Sequence, residues 1–308
     1  MSNKTTANVK SYTGRKKRLF DELSGWLFAS PAILGFLIFI LGPMIASLYL
    51  SMTDYTIVVK PNFIGFRNYV ELFTSSTSLF FQALKVTAYY VALSVPMQII
   101  FSYSIALLLH QRVKCLSFFR TAFYLPTIVP LVASSMVWMW LLNPDLGFLN
   151  EILRALNLPT SQWIYAQETV IPTLALMSVW SSGGAMLIFL AALQDIPNVY
   201  YEAIYIDGGN SIDKLRYVTI PMTTPTIFFN LVMGLINGFQ VFVQPYIMTE
   251  GGPKNSSLMY VFYLYREAFT HQNMGNACAI AWILFIIIMA FTALIFKTSQ
   301  NWVYYEGE

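Results

Sequence analysis

Gln194-Asp-Ile-Pro-Asn-Val-Tyr-Tyr-Glu-Ala-Ile-Tyr-Ile-Asp-Gly-Gly-Asn-Ser-Ile-Asp-Lys-Leu-Arg-Tyr-Val-Thr-Ile-Pro221 is the most informative stretch of the 308-residue chain. It is polar, tyrosine-rich and broken by two glycines, and it joins two long apolar runs at 169–193 and 219–248. Pro197 and Asn198 make a helix start. Val199, Ala203 and Ile206 recur at i, i+4 and i+7, one face of a short helix. Gly208-Gly209 stops it. Ser211 is placed to cap a second short helix through Tyr217, and Pro221 opens the next apolar run. The pattern predicts two short amphipathic helices joined by glycines. Two roles stay open on residue physics. The pair rests on lipid headgroups through Tyr200, Tyr201, Tyr205 and Tyr217, or it is a docking peg. In the second role Glu202 projects a carboxylate beside a small Ala203 that lets another backbone come close.

The flanking runs set the fold class. Hydrophobic residues make up 56% of the chain and charged residues only 11%. A soluble domain carries roughly 25% charged residues, so a water-soluble enzyme lacks the surface charge it needs here. Disorder is excluded by the hydrophobicity. A hydrocarbon core about 30 Å thick needs about 20 apolar residues in helix. Six stretches qualify, at 26–50, 80–109, 118–142, 169–193, 219–248 and 277–296. Prolines interrupt three of them: Pro96 in the second, Pro126 and Pro130 in the third, Pro225 and Pro245 in the fifth. Neighbouring helices can re-satisfy the backbone groups that these free. The runs lack period-2 alternation, which argues against a β-barrel. The first run is too long for a 7–15-residue signal-peptide core and shows no small-residue cleavage site, so it is read as a true helix.

Orientation follows the Lys/Arg balance. One side holds Lys4, Lys10, Arg15, Lys16, Lys17, Arg18, Arg112, Lys114, Arg120, Lys214, Arg216 and Lys297, twelve in all. The other holds five, Lys60, Arg67, Arg154, Lys254 and Arg266, with Lys85 inside the second run. Both termini are therefore expected in the cytoplasm, with 51–79, 143–168 and 249–276 outside. The expected division is a basic N-terminal segment at 1–25, a six-helix transmembrane domain at 26–296 containing the 198–217 loop, and a tail at 297–308. The net charge is only +3, and the one dense basic run precedes a span, so nucleic-acid binding is not expected.

What the spans lack narrows the chemistry. They contain no Asp or Glu between their ends. An ion-coupled carrier is expected to hold ionisable groups at mid-membrane, although backbone carbonyls can also bind sodium. No G-x-x-x-x-G-K-[ST] phosphate loop is present, and neither H-E-x-x-H nor G-x-S-x-G occurs. His110 and His271 are expected on opposite sides of the membrane. Cys115 and Cys278 fit no disulfide or zinc spacing. No catalytic residues, metal or cofactor are expected.

The 194–221 stretch also resembles the "EAA" loop of binding-protein-dependent ATP-binding-cassette importer permeases. The family pattern is E-A-A, three residues, Gly, nine residues, I-x-L-P. This chain has Glu202-Ala203-Ile204, then Gly208, then Val218-Thr219-Ile220-Pro221, with every spacing matched. Ile204 replaces the second Ala and makes that part of the helix bulkier. Val218 and Ile220 replace the aliphatic pair. Other segments are similar to the carbohydrate-uptake branch, in particular its maltose-type first permease. They are Gly42-Pro43, Ser51-Met-Thr-Asp-Tyr55, Gly65-Phe-Arg-Asn-Tyr69, Leu125-Pro126 with Pro130, Asn143-Pro144 with Gly147, Phe189-Leu-Ala-Ala-Leu-Gln-Asp-Ile-Pro197 and Thr249-Glu-Gly-Gly-Pro253.

The resemblance implies an all-α integral membrane protein of six transmembrane helices, with the type I importer (MetI-like) permease core. It implies a second permease, two ATP-binding-cassette ATPase subunits beneath, and an extracellular or periplasmic solute-binding protein. It makes 198–209 a coupling helix, with Glu202, Ala203, Asp207 and Gly208 as its contacts to the ATPase. The implied solute is a sugar or oligosaccharide. The alternatives are the same fold moving glycerol-phosphate or an anionic saccharide, an ATP-independent secondary carrier, and a scaffold that moves nothing.

Sugars need hydrogen-bond partners for hydroxyls and flat apolar faces for their rings. Within the spans Gln98, Ser178, Ser181, Ser182, Asn230, Asn237, Gln240 and Gln244 offer the first. Trp180, Tyr124 and Phe239 offer the second. Asn237, Gln240 and Gln244 repeat at i, i+3 and i+7 and so are expected on one face of span five. The same amides can instead glue helix to helix. The candidate path is Asn237, Gln240, Gln244, Ser181, Ser182, Trp180 and Tyr124.

Overall fold

The computed structural model describes residues 14–58, 60–75, 77–111 and 114–304. Lys4, Lys10 and Arg112 of the orientation argument lie outside them. Four helices are long and apolar enough to cross a bilayer, namely Ser24–Leu50, Phe80–His110, Ser211–Phe239 and Met274–Ser299. Two further pairs each add up to one span with a sharp bend. Six spans result, in the order expected.

Prolines explain where spans one, three and five depart from straight helices. The first is α1 (Gly14–Phe36), a π-turn at Leu37–Leu41 and α2 (Gly42–Leu50). Pro43 cannot donate to a carbonyl one turn back, and the wider turn just before it absorbs the mismatch. After the short helix α3 (Arg67–Thr74), span two is α4 (Phe80–His110), which continues unbroken through Pro96. Span three is broken, not merely interrupted. α5 (Leu116–Ile128) and α6 (Leu131–Leu141) meet at 98° around Pro130. Val129, ahead of the proline, is extended with ψ 128, as the ring demands of its predecessor.

After α7 (Phe148–Ala155), span four is also broken, where one helix was expected. α8 (Val170–Trp180) and α9 (Gly183–Gln194) meet at 50°. The short α10 (Asn198–Ile206) follows. α11 (Ser211–Lys214), a π-turn at Leu215–Thr219 and α12 (Ile220–Phe239) then form one continuous rod. That rod ends at Gln240 and not at 248. Pro245 offers no N–H to Val241, so the helix cannot run on intact. The chain closes with α13 (Tyr260–Tyr265) and α14 (Met274–Ser299).

α4 is the central post, packed against α8, α9 and α12. One apolar cluster fills the half of the bundle around Phe80, Tyr90, Leu174, Phe239, Tyr260 and Ile280. A second lies at the opposite end, around Leu109, Met186, Phe189, Leu193 and Val218. Tyr260 is fully buried and ties three elements together: its N–H donates to Thr87 Oγ1 at 2.8 Å and its hydroxyl to the Ile280 carbonyl at 2.9 Å. α2 packs on α14, and Trp282 Nε1 donates to Ser47 Oγ at 3.2 Å.

The breaks in spans three and four lie against each other. Thr127 Oγ1 donates to the Ser181 carbonyl and Ser102 Oγ to the Ser182 carbonyl, both at 3.2 Å. These hydroxyls satisfy carbonyls that the broken helix leaves open. Gly183 permits the approach: a Cβ there would meet the Phe123 carbonyl oxygen and lie 2.9 Å from Thr127 Oγ1. Gly183→Val is therefore expected to cost about 1–3 kcal/mol of overpacking and to lower the thermal unfolding midpoint in detergent. An unchanged midpoint would show that the crossing yields freely.

Candidate functional site

Two features deserve the name of site: the elbow between spans four and five, and a polar cavity beside span five. The elbow is built from local rules. Pro197 is extended, with ψ 133, and releases α10 at Asn198. α10 ends in a Schellman turn. The Gly209 N–H donates to the Ile204 carbonyl at 2.9 Å and the Gly208 N–H to the Tyr205 carbonyl at 3.1 Å. Gly208 takes the left-handed conformation this turn requires, with φ +78. Asn210, not Ser211, caps the next helix. Its Oδ1 accepts from the Ile212 N–H at 2.7 Å and the Asp213 N–H at 3.2 Å. The Asp213 carboxylate accepts from the Asn210 N–H at 2.8 Å, which completes a capping box. The expected second short helix is thus the foot of the long rod that becomes span five.

α10 is two-sided. Tyr200, Tyr201 and Ile204 pack on the apolar cluster at this end of the bundle. Tyr201 also exchanges a hydrogen bond with Thr219 Oγ1 at 3.2 Å. The opposite face carries Val199, Glu202, Ala203 and Ile206, all exposed, and Ile206 is 82% so. Ile204 therefore faces the bundle and adds its bulk there, not to the outer face. Tyr205 and Tyr217 are exposed, whereas Tyr200 and Tyr201 are half-buried, so the tyrosines do not form one interfacial belt. Lys214 Nζ sits 5.7 Å over the Tyr205 ring and bridges the two arms of the elbow. Glu202 and Asp207 are exposed and join no salt bridge among the described residues.

The cavity has a volume of about 370 Å³. Asn237, Gln240 and Gln244 line it together with Ser181, Ser178 and Gln98. The amides converge, although not on one helical face. Asn237 lies in the last turn of α12, Gln240 caps it, and Gln244 comes from the bend beyond. Gln244 Oε1 is buried with no hydrogen-bond partner among the described residues, an acceptor left open in the cavity wall. Among the described residues, no Lys, Arg, Asp or Glu lines the space.

The other expected path residues lie elsewhere. Ser182 and Trp180 line a separate cavity beside Phe123 and Pro126. Trp180 packs edge-on against Trp138 at 5.7 Å, and Ser182 bonds back to the Val179 carbonyl. Tyr124 is exposed on α5 and lines neither space. Phe239 is buried and stacked on Phe291 at 5.5 Å. Asn230 spends its amide on the Thr226 carbonyl of its own helix at 2.9 Å.

Gly234 and Gly238 of α12 had no part in the sequence reading. A Cβ at either would lie 3.1 Å from a methyl of Val95 or Val91 on α4. Their G-x-x-x-G spacing is the signal for such close helix contact.

The left-handed turn at Gly208 can be tested directly. Gly208→Ala is expected to cost about 1–2 kcal/mol for a left-handed non-glycine residue. Amide exchange should quicken in α10 and stay unchanged in α4 and α14. Equal exchange throughout would show that α10 does not depend on the glycine turn.

The comparisons agree with this architecture. Residues 81–304 match the family of binding-protein-dependent transport system inner membrane components. The probable ABC transporter permease protein YesP of Bacillus subtilis (strain 168) is 41% identical, across 99% of this chain and 98% of its own length. The arabinooligosaccharides transport system permease protein AraP of Halalkalibacterium halodurans is 31% identical, across 91% of this chain and 90% of its own. Among solved structures, a chain of a bacterial alginate ABC transporter in complex with an alginate pentasaccharide-bound periplasmic protein superposes with a TM-score of 0.81. It is 22% identical, with 92% of this chain and 96% of that one covered, and it shows the shared all-α permease fold. The chain belongs to the binding-protein-dependent ABC transporter permeases, a family of multi-pass membrane transport subunits.

Proposed function

We propose that the protein is one permease half of an ATP-driven importer of a sugar or oligosaccharide. It works in a bacterial-type plasma (inner) membrane with both termini cytoplasmic. Residues 26–296 form the permease domain, between a basic cytoplasmic segment at 1–25 and a tail at 297–308. A second permease completes the pore, two ATPase subunits bind beneath, and an extracellular solute-binding protein delivers the solute.

The two-sided elbow carries the coupling part of this reading. One face of α10 is fixed to the bundle, and the other presents Val199, Glu202, Ala203 and Ile206 with no cover. That face fits a groove on an ATPase, with Glu202 meeting a basic side chain there. Asp207 lies at the rim, and Gly208 makes the turn behind. Closure of the ATPase pair then pushes α10, and the attached spans swing between inward- and outward-open states.

The cavity supports the solute class. Amide and hydroxyl groups suit sugar hydroxyls, and the lining carries no charge to hold an anion. The name of the AraP relative, an arabinooligosaccharide permease, points the same way. Ser182, Trp180 and Tyr124 are not needed for this reading, since they lie outside the cavity.

Glu202→Arg is expected to abolish uptake while the protein remains in the membrane at normal level. Glu202→Ala is the gentler change, because an exposed ion pair contributes only about 0–1 kcal/mol. Normal uptake by the Arg variant would end the coupling role. Asn237→Leu and Gln240→Leu should each lower the uptake rate about tenfold, the scale of one hydrogen bond lost from a desolvated site. Unchanged rates in both would take the cavity out of the path. Uptake by liposomes holding this chain without ATPase subunits would favour a secondary carrier.

A further inference from the structure

A second, larger space lies beyond the cavity, at the end of the bundle away from the elbow. Its volume is about 530 Å³, and its walls include Tyr246, Tyr265, Phe262, Glu250, Arg266 and Thr270. One aromatic pair stands between the two spaces. Phe242 lines the inner cavity and stacks on Tyr246 at 5.1 Å with the rings 17° apart. Tyr246 in turn packs on Tyr265 at 5.3 Å, and Tyr265 on Phe269 at 5.0 Å. The rings form a continuous aromatic wall whose planes are tilted to one another, those of Tyr246 and Tyr265 by 64°, and Tyr246 is 41% exposed.

Two charged groups border that wall without ion-pair partners among the described residues. Arg266 sits 5.9 Å over the Phe262 ring and joins no carboxylate. Glu250 is held outward by the turn that follows Pro245–Thr249. That turn is pinned. The Gly252 N–H donates to the Thr249 carbonyl at 2.7 Å, and Ser257 Oγ lies 2.7 Å from Thr249 Oγ1.

We propose that this outer vestibule is a second glycan subsite, where later rings of an oligosaccharide stack on Tyr246 and Tyr265 while the leading ring occupies the inner cavity. Sugar rings have an apolar C–H face that suits an aromatic plane. Their vicinal hydroxyls suit a guanidinium or carboxylate that forms paired hydrogen bonds. A docked protein helix would need a broad apolar groove, and this wall alternates rings with charged groups. The proposal rests on the sugar-import reading and adds chain length to it: a short chain is held by the inner cavity alone, a longer one by both.

The test uses the complete importer in proteoliposomes, with its ATPase subunits, second permease and an excess of loaded binding protein. The probes are arabinose, glucose and galactose oligosaccharides of two and of five residues, in matched series. In the series carried, Tyr246→Ala and Tyr265→Ala should each lower the ratio of pentasaccharide to disaccharide uptake rate by about fivefold, the size of one lost stacking contact. Tyr246→Trp, which keeps a flat face, should restore most of the ratio. An unchanged ratio in both Ala variants overturns the outer subsite, as does an equal loss of both lengths. Failure of the unsubstituted importer to carry any of the series overturns the sugar reading and this inference with it.

Discussion

Inside hydrocarbon there is no water to take up a freed carbonyl, and each backbone group left open costs several kcal/mol. The whole bundle depends on meeting that demand. Spans three and four break near the middle, and each break leaves carbonyls exposed. Hydroxyls from neighbouring spans reach those of span four: Thr127 for Ser181, Ser102 for Ser182. The broken spans therefore have to touch, and Gly183 is what lets them. In the first and fifth spans a wider turn does the same job, whereas α4 runs through Pro96 without one. The π-turns at Leu37–Leu41 and Leu215–Thr219 stand just before Pro43 and Pro221.

The irregular backbone produces the cavity. A span five that ran straight to 248 would place its amides on one helical stripe. Because α12 stops at Gln240 and the chain bends back through Pro245, Asn237, Gln240 and Gln244 approach one space from different directions. α4 supplies the opposite wall through Gln98 and Tyr90, and α8 adds Ser178. α4 is held against α12 by the close contacts of Gly234 and Gly238 with Val95 and Val91.

Much of this is written locally and could be read from the chain. Six spans were legible because each apolar run exceeds the length needed to cross. The elbow was legible because caps, glycines and a three-to-four-residue repeat act within a few positions. The one-residue error at Asn210 shows the limit. Asn and Ser are both good caps, and only the Asp three residues after Asn210 decides between them. Whether a proline bends, widens or breaks a span depends on which neighbour can reach the freed carbonyl. That is tertiary information, so the breaks at Pro130 and Ser181 were hidden. The convergence of the amides was hidden for the same reason. Trp180 and Phe239 looked like stacking groups but are engaged with Trp138 and Phe291, partners far away in sequence.

The unbroken course of Ser211–Phe239 has a mechanical meaning. Its 29 residues make a strut of about 43 Å at the usual helical rise. One tip is seated at the elbow beneath Asn210, and the other carries Asn237 at the cavity wall. The strut contains two prolines and a π-turn but no hinge. A few degrees of tilt about its midpoint would move its two tips in opposite directions, like a seesaw. Displacement at one end of the molecule is thereby converted, with no relay of intermediate contacts, into widening or narrowing at the other.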